Sequence, residues 1–375
     1  MNSVKSTPKG IAATRVDLQP LFDELYLGHS LSREQTRALF DALIAGELSE
    51  AAMAGMLVAL KLRGETIAEI SGAADALLAA AKPFPRPAFP AGTAIVDIVG
   101  TGGDGHNTIN ISTTAAFVAA AAGARVAKHG NRSVSSKSGS SDLLAQCGIA
   151  LTMSPLAAGD CLARLGLCFL FAPHYHGGVK HAVPVRQALK TRTLFNLLGP
   201  LINPARPDAM LLGVYSPELV LPIAQVLEAL GVKRALVVHG SGLDEVALHG
   251  DTQVAELDKG QIRQYRLSPT DLGVPAAELS ELEGGEPSEN AVITQAILQG
   301  KGKTAHKNAV AINAGCALYI AGVCESVRAG TALALATIDS GKAYGLLQQL
   351  AQASREDALQ QSLEAKTEGR GLRNE

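Results

Sequence analysis

The sequence predicts an α/β protein, with a small all-helical N-terminal domain followed by a larger domain in which helices flank a mostly parallel central sheet. Three observations predict it. From Asp17 to Ala81 the apolar pattern is purely helical, and Gly28, Gly46 and Gly64 sit where helix C-caps belong. Lys82–Pro90 then carries four prolines in nine residues, too few backbone donors for a helix or an inner strand, so it reads as an extended connector. From Ile95 onward, short β-rich runs alternate with helical runs, the pattern of a parallel sheet covered on both faces.

Taken in order, four helical segments fill residues 17–81, and two of them open with capping boxes, Ser32 with Gln35 and Thr66 with Glu69. The strand candidates are Ile95–Val99, Arg125–Lys128, Cys168–Ala172, Met210–Tyr215 and Ala235–His239. An apolar helix covers Ala115–Ala122, and others start after Ser154-Pro155 and Ser216-Pro217, where Ser caps and Pro occupies the first turn. The expected layout is a flexible N-terminus over 1–16, a helical domain over 17–90 and an α/β domain from 91 to 354. The polar segment Arg355–Glu375 is expected to fray.

Composition narrows the function. A chain of 375 residues, 47% hydrophobic and 18% charged, is too apolar for a disordered protein and too poor in glycine, at 38, for a collagen. Its net charge of −2 gives no global reason to bind nucleic acid or an acidic membrane, so any anion must be met locally. The five cysteines lie in apolar runs without a C-x-x-C pair and read as reduced core residues, which favours a cytoplasmic protein. No apolar run is long enough for a signal peptide core or a membrane span. With no Trp, 6 Tyr and 8 Phe, the core must be built from small aliphatic side chains packed closely.

The chemistry concentrates at strand ends. Gly100, Gly102 and Gly105 formally match G-x-G-x-x-G, but no helix is expected to open before about Thr113 and no acidic residue follows at the distance a ribose needs. The dinucleotide reading therefore fails. Asn110-Ile-Ser-Thr-Thr114 instead leads into the apolar helix, leaving backbone N–H groups and hydroxyls facing outward as an anion pocket. Lys128–Ser140 adds two Lys, one Arg and five Ser around two Gly, a loop suited to a polyanion. Asp244-Glu245 follows the last predicted strand and offers the hard oxygen ligands Mg²⁺ requires beside phosphates. Arg186, Lys190 and Arg192 could grip a substrate carboxylate. His174, His176 and His181 lack metal-ligand neighbours and read as pocket or surface residues, and Gly300–Thr304 mimics a P-loop but has Ile297 where the first glycine belongs.

Asp97–Gly105 with Asn110–Thr113, Lys128–Ser140, Arg186–Pro204 and Gly242–Glu245 together resemble the anthranilate phosphoribosyltransferases of tryptophan biosynthesis, in order from about Leu18 to Ala353. Phe171–Lys180 departs from the His-Pro-Ala-Met-Lys version common in that family and is more similar to the enteric proteobacterial type, here as a stand-alone form. The resemblance implies a nucleoside phosphorylase/phosphoribosyltransferase-like fold, a homodimer, and returning helices over about 177–200 that join the helical domain and carry Arg186. The α/β domain is thereby split into 91–176 and 201–354. It implies that phosphoribosyl pyrophosphate is held by Gly100, Gly103, Asp104, Thr108, Asn110, Ile111, Ser112 and Thr113, together with Lys128, Ser136 and Ser140. It further implies that Mg²⁺ is organised by Ser112, Asp244 and Glu245, and anthranilate by Gly100, Asn131 and Arg186.

An arylamine is neutral at pH 7 and already nucleophilic, so the difficult step is departure of a polyanion from the ribose carbon. Catalysis is expected from charge neutralisation and positioning by Lys128, Asp244 and Glu245 with Mg²⁺, not from a strong base. His129 is a weaker candidate for assisting proton loss. The alternatives are a non-catalytic nucleic-acid-binding relative of this fold, which the net charge of −2 disfavours, and a pyrimidine nucleoside phosphorylase.

Overall fold

The computed structural model describes residues 17–132 and 137–371. Four helices form the first unit: α1 (Gln19–Tyr26), α2 (Arg33–Ala45), α3 (Glu50–Arg63) and α4 (Ile67–Ala79). Both capping boxes form, with Ser32 and Thr66 accepting from the backbone of Gln35 and Glu69. Gly46 ends α2 at φ 75°, a left-handed turn that favours glycine.

After the proline-rich connector come β1 (Ile95–Gly100), α5 (Ile111–Ala121), β2 (Arg125–Gly130), α6 (Ser140–Gln146), α7 (Pro155–Leu165) and β3 (Leu167–Phe171). Short α8 (Ala172–Tyr175), α9 (Val183–Leu189) and α10 (Phe195–Leu201) return beside the helical unit. The sheet resumes with β4 (Ala209–Gly213), α11 (Val220–Ala229), β5 (Arg234–Gly240), β6 (Thr252–Asp258) and β7 (Gln261–Leu267). It is then covered by α12 (Pro287–Leu298), α13 (Thr304–Ile320), α14 (Val327–Asp339) and α15 (Lys342–Gly371). The seven strands lie in the order β3-β2-β1-β4-β5-β6-β7. The first five are parallel, and β6 and β7 are antiparallel additions at one edge.

Two apolar cores result. On one sheet face, α5, α13, α14 and α15 bury Ile98, Phe117, Val126, Leu170, Ile312 and their neighbours. On the other, Met210, Leu212, Val237 and Leu257 merge with α10, α11 and the helical unit, where Phe40 meets Phe195 at 5.8 Å between ring centroids. Small side chains permit this spacing: Ala115, Ala116 and Ala119 of α5, and Ala309, Ala311 and Ala314 of α13, are completely buried.

The structure departs from the sequence reading in four places. The β6–β7 hairpin was not anticipated; its turn is Lys259-Gly260, both at positive φ (52° and 72°), which suits the twist of a two-residue hairpin. α5 opens at Ile111 rather than near Thr113, because Thr114 N–H and its hydroxyl both close onto the Asn110 carbonyl. Ser216 makes no cap; its hydroxyl turns to Glu218, and Pro217–Leu219 forms a 3₁₀ turn before α11. Of the segment expected to fray from Arg355, residues 355–371 instead continue α15, anchored where Asp357 accepts from Ser154 N and Oγ at 2.8 Å, and 372–375 lie outside the described residues. The segment 1–16 lies outside the described residues.

Candidate active site

In a parallel sheet the crevice opens where successive strands depart in opposite directions. Here β1 leads to β2 and β3 on one side while β4 leads to β5 on the other, so the switch falls between β1 and β4. Their last residues, Gly100 and Gly213, are paired in register. Asp244 lies directly across them: a Cβ on Gly100 would sit 2.2 Å from Asp244 Oδ2, and one on Gly213 would sit 1.6 Å from the Asp244 carbonyl oxygen. Glycine at both strand ends is therefore what lets the carboxylate segment enter the crevice.

That segment is fixed from below. Gly240 and Leu243 exchange backbone hydrogen bonds at 2.9 and 3.0 Å, and buried Asn313 of α13 binds both the N–H and the carbonyl of Val246. Asp244 Oδ2 accepts from Gly102 N at 2.6 Å, and Glu245 Oε1 accepts from Ser112 N at 3.0 Å at the start of α5. Burial, reinforced by the neighbouring Glu245 and Asp104, pushes the Asp244 carboxyl well above the usual range. Burial likewise raises Glu245 to about 7, against the pull of Lys128 and the Ser112 donors. Two carboxylates held side by side in a half-buried crevice are a place where a hard cation is favoured.

Lys128 lies beneath this pair rather than in open solvent. Its ammonium donates to the Ile98 carbonyl at 2.5 Å, and burial lowers its pKa against the attraction of Asp97, Glu245 and Asp244. Asp97, which sequence reasoning did not single out, is wholly buried beside it. It accepts from His129 N at 3.3 Å and from Asn203 Nδ2 at 2.8 Å, while burial raises it to about 6. The same Asn203 amide reaches the Ala127 carbonyl, so β1, β2 and the chain after α10 are tied together under the lysine.

The glycine turn between β1 and α5 carries Gly102, Gly103 and Gly105 at φ 66°, 80° and 86°, a conformation other residues adopt only with strain. Asp104 folds back to accept from His106 N at 3.0 Å. Thr108 bridges to Glu283, placing the approach to α5 against the loop before α12. Ile111 and Thr113 point into the core, whereas Ser112 remains partly accessible beside Glu245.

Asn110 is committed to protein partners. Its carbonyl oxygen accepts from Asn290 Nδ2 at 2.9 Å and Ser138 Oγ at 3.2 Å, and its amide donates to the Ser138 carbonyl. It thus fastens the end of the Ser/Lys loop to the glycine turn. Ser140 Oγ donates to the Asn131 carbonyl at 3.1 Å, and Asn131 itself is exposed. Ser136 lies outside the described residues.

Across the crevice, the three basic residues of the returning segment separate. Arg186 of α9 is partly buried over the Phe195 ring at 5.1 Å, makes no ion pair among the described residues, and has its pKa lowered by burial. Lys190 ends α9 at φ 47° and is exposed. Arg192 turns to the glycine loop instead, donating to the Gly103 carbonyl and stacking on Tyr215 at 4.1 Å. His129 packs edge-on against His176 at 5.4 Å, and burial pushes it down to about 3. It is therefore neutral at physiological pH, with Nδ1 near the Gly199 carbonyl and Nε2 without a partner among the described residues. His174 is partly accessible, and His181 packs against Gly46 of the helical unit.

Comparison with known proteins gives the family of the chain. Residues 92–344 match the model of the glycosyl transferase family a/b domain, and residues 19–81 match the helical bundle domain of that family. An anthranilate phosphoribosyltransferase of Shewanella baltica (strain OS155) is 77% identical over 342 residues, covering 90% of this chain and 96% of its own length. The crystal structure of the anthranilate phosphoribosyltransferase of Thermus thermophilus superposes with a TM-score of 0.84 at 46% identity, covering 89% of this chain and 99% of the other. The Saccharomyces cerevisiae enzyme in complex with PRPP and Mg gives 0.81 at 27% identity, covering 90% and 98%. With the glycine-ended strands, the carboxylate pair and the helical unit all in place, the chain belongs to the glycosyl transferase family and, within it, to the anthranilate phosphoribosyltransferases.

Proposed function

We propose that this crevice transfers the phosphoribosyl group of phosphoribosyl pyrophosphate to the amine of anthranilate, giving N-(5-phosphoribosyl)anthranilate and pyrophosphate. The observation that carries the reading is the Asp244-Glu245 pair lying over Gly100 and Gly213 at the sheet's switch point, next to a glycine turn held at positive φ. The C1–O bond to pyrophosphate breaks, a C1–N bond forms, and the arylammonium then loses a proton. The glycine turn and the start of α5, from Gly100, Gly103 and Asp104 through Thr108 to Thr113, would cradle the donor, with Lys128 below and Ser140 at the rim.

Mg²⁺ fits the donor set. Asp244, Glu245 and the Ser112 hydroxyl are hard oxygen ligands, and the raised carboxyl pKa values mark negative charge that a divalent cation would relieve. When bound, it would supply charge stabilisation to the leaving pyrophosphate. Arg186, partly buried over the Phe195 ring, would pair with the arylcarboxylate, and Gly100 and Asn131 would complete the acceptor side. His129, neutral and of low basicity, could take a proton only weakly, in keeping with an amine that needs no activation before attack.

The proposed assembly is a homodimer. Exposed Tyr26 of α1, Leu27 just after it, Leu62 of α3 and Val183 of α9 are apolar, and α3 packs on both α1 and α9, the sort of surface a second copy would cover. No helix of the described chain is long and apolar enough to cross a membrane. The direct test is to mix protein, Mg²⁺, anthranilate and phosphoribosyl pyrophosphate and follow anthranilate emission, which falls if the transfer occurs. Steady emission with phosphorolysis of thymidine would move the chain to the nucleoside phosphorylases, and salt-sensitive DNA binding without pyrophosphate release to a non-catalytic relative.

A further inference from the structure

Arg192 stands six residues beyond Arg186, yet it faces the donor side of the crevice. Its guanidinium stacks on the Tyr215 ring at 4.1 Å from the centroid and donates to the Gly103 carbonyl. The fork lies so close over Gly103 that an added Cβ would come within 3.5 Å of Nε and Nη2. Tyr215 is tied to the same turn from the other side, its N–H donating to Thr101 Oγ1 at 3.1 Å, while Thr101 N donates to the Gly213 carbonyl at 2.9 Å. The residue before Arg192 is also held, since Lys61 of α3 donates to the Thr191 hydroxyl. A chain of polar contacts thus runs from the helical unit through Thr191 and Arg192 to the glycine loop.

We infer that Arg192 is a positioning residue that aims the glycine loop at the donor's phosphates by holding the Gly103 carbonyl away from them. The peptide between Gly103 and Asp104 is trans, so its carbonyl and N–H point in opposite directions. Fixing the carbonyl on Arg192 turns the Asp104 N–H, which has no acceptor among the described residues, to the side away from Arg192. Glycine at 103 leaves that peptide free to flip, and a flipped carbonyl would oppose an anion. Arg192 is suited to the task because a planar fork can stack on Tyr215 and donate at once, which an ammonium cannot do in the same way. Since Arg192 and Arg186 share one returning segment, the acceptor and donor sides of the crevice are mechanically linked.

The inference rests on the proposed donor site, and calorimetry with phosphoribosyl pyrophosphate and Mg²⁺ separates the two. Arg192→Gln should weaken donor binding about 10-fold or more, the loss expected for a charge-assisted hydrogen bond. Arg192→Lys should not restore it, Tyr215→Leu should weaken it in the same direction, and Tyr215→Phe should leave it near wild type. The Arg192→Gln effect should persist as salt rises and should appear in the KM for the donor while the melting temperature is unchanged. Rescue by Arg192→Lys, or disappearance of the effect at high salt, would mean that Arg192 meets phosphate directly as a charge, and the inference fails. If Lys128→Gln weakens donor binding but neither Arg192→Gln nor Tyr215→Leu does, the inference alone is overturned. If Lys128→Gln also has no effect, the donor site itself is misassigned and the inference falls with it.

Discussion

Gly213→Ala adds one carbon atom and should disable the enzyme. The new Cβ would lie 1.6 Å from the Asp244 carbonyl oxygen and 2.3 Å from its carbonyl carbon, both backbone atoms that cannot rotate aside. Ordinary contact begins at 3.4 Å, so the Asp244 backbone must retreat by about 1.8 Å, the difference between 3.4 and 1.6. It cannot retreat freely, because Val246 is clamped by Asn313 and the Gly240–Leu243 turn closes on itself. Overpacking of this kind costs about 1–3 kcal/mol or more, and a misplacement of about 1 Å at a catalytic group can cost roughly 10²-fold in rate. We therefore expect kcat/KM to fall by about 10²-fold or more, with a melting temperature lower by several degrees. Gly345→Ala in α15 is the control, because its Cβ meets nothing within 4 Å and its φ is not in the left-handed region. Wild-type kcat/KM and melting temperature in Gly213→Ala would refute the claim that Asp244 is seated by the absence of a side chain there.

Asp244→Asn with Glu245→Gln should reduce turnover by about 10³-fold or more, without lowering the melting temperature, since the amide oxygens can still accept from Gly102 N and Ser112 N while the repulsion within the pair is removed; in the wild type, EDTA should stop turnover and added Mg²⁺ restore it. Equal activity of the double variant at every Mg²⁺ concentration would remove the pair from the metal site. Arg186→Ala should raise the anthranilate KM by about 30-fold or more, for a lost charged pair of roughly 2–5 kcal/mol, and leave the donor KM nearly unchanged; equal movement of both would make Arg186 structural. Glu69 offers a pH-dependent test, because burial would raise its carboxyl but Arg63 and the N–H groups of Leu31 and Thr66 hold it below the usual range. A depressed folded pKa contributes stability above the unfolded value and loses it as pH falls through the folded one. Glu69→Gln should therefore cost about 3 kcal/mol at neutral pH, shrinking in acid, and chemical denaturation showing a pH-independent cost would contradict the assignment.

The parallel strands and the glycine end of β1 could be read because both signals are local, continuous apolar runs and then a glycine turn; Gly213 could not, since the apolar run continues past it to Tyr215 although β4 ends there. The β6–β7 hairpin could not be read from apolar runs, because β7 alternates exposed and half-buried residues and β6 carries Glu256 and Asp258 at its polar positions. Lys259-Gly260 was the available sign, a two-residue turn between strands. Within the site, Asp244, Glu245 and the glycine turn were legible from type and order. Asp97, Asn203 and Asn313 were not, because each acts through a partner distant in sequence: Asp97 through Asn203, and Asn313 through Val246. Arg192 was recognised as a cation, but its direction was invisible, since only the fold brings Tyr215 and Gly103 to it.

The second apolar core has a consequence for how the chain is made. Phe40, Met56 and Leu60 of the N-terminal helices belong to the same buried cluster as Phe195, Leu198 and Val226, which are separated from them by more than a hundred residues. Arg33 likewise reaches the Ala229 carbonyl at 2.9 Å. The four-helix unit, which leaves the ribosome before the sheet does, therefore has an unfinished interior, and its greasy face stays open while β1, β2 and β3 are synthesised. Closure waits for α10 and α11, so the last step in building the helical unit coincides with the completion of β4 and β5, and the crevice and its far wall are born together.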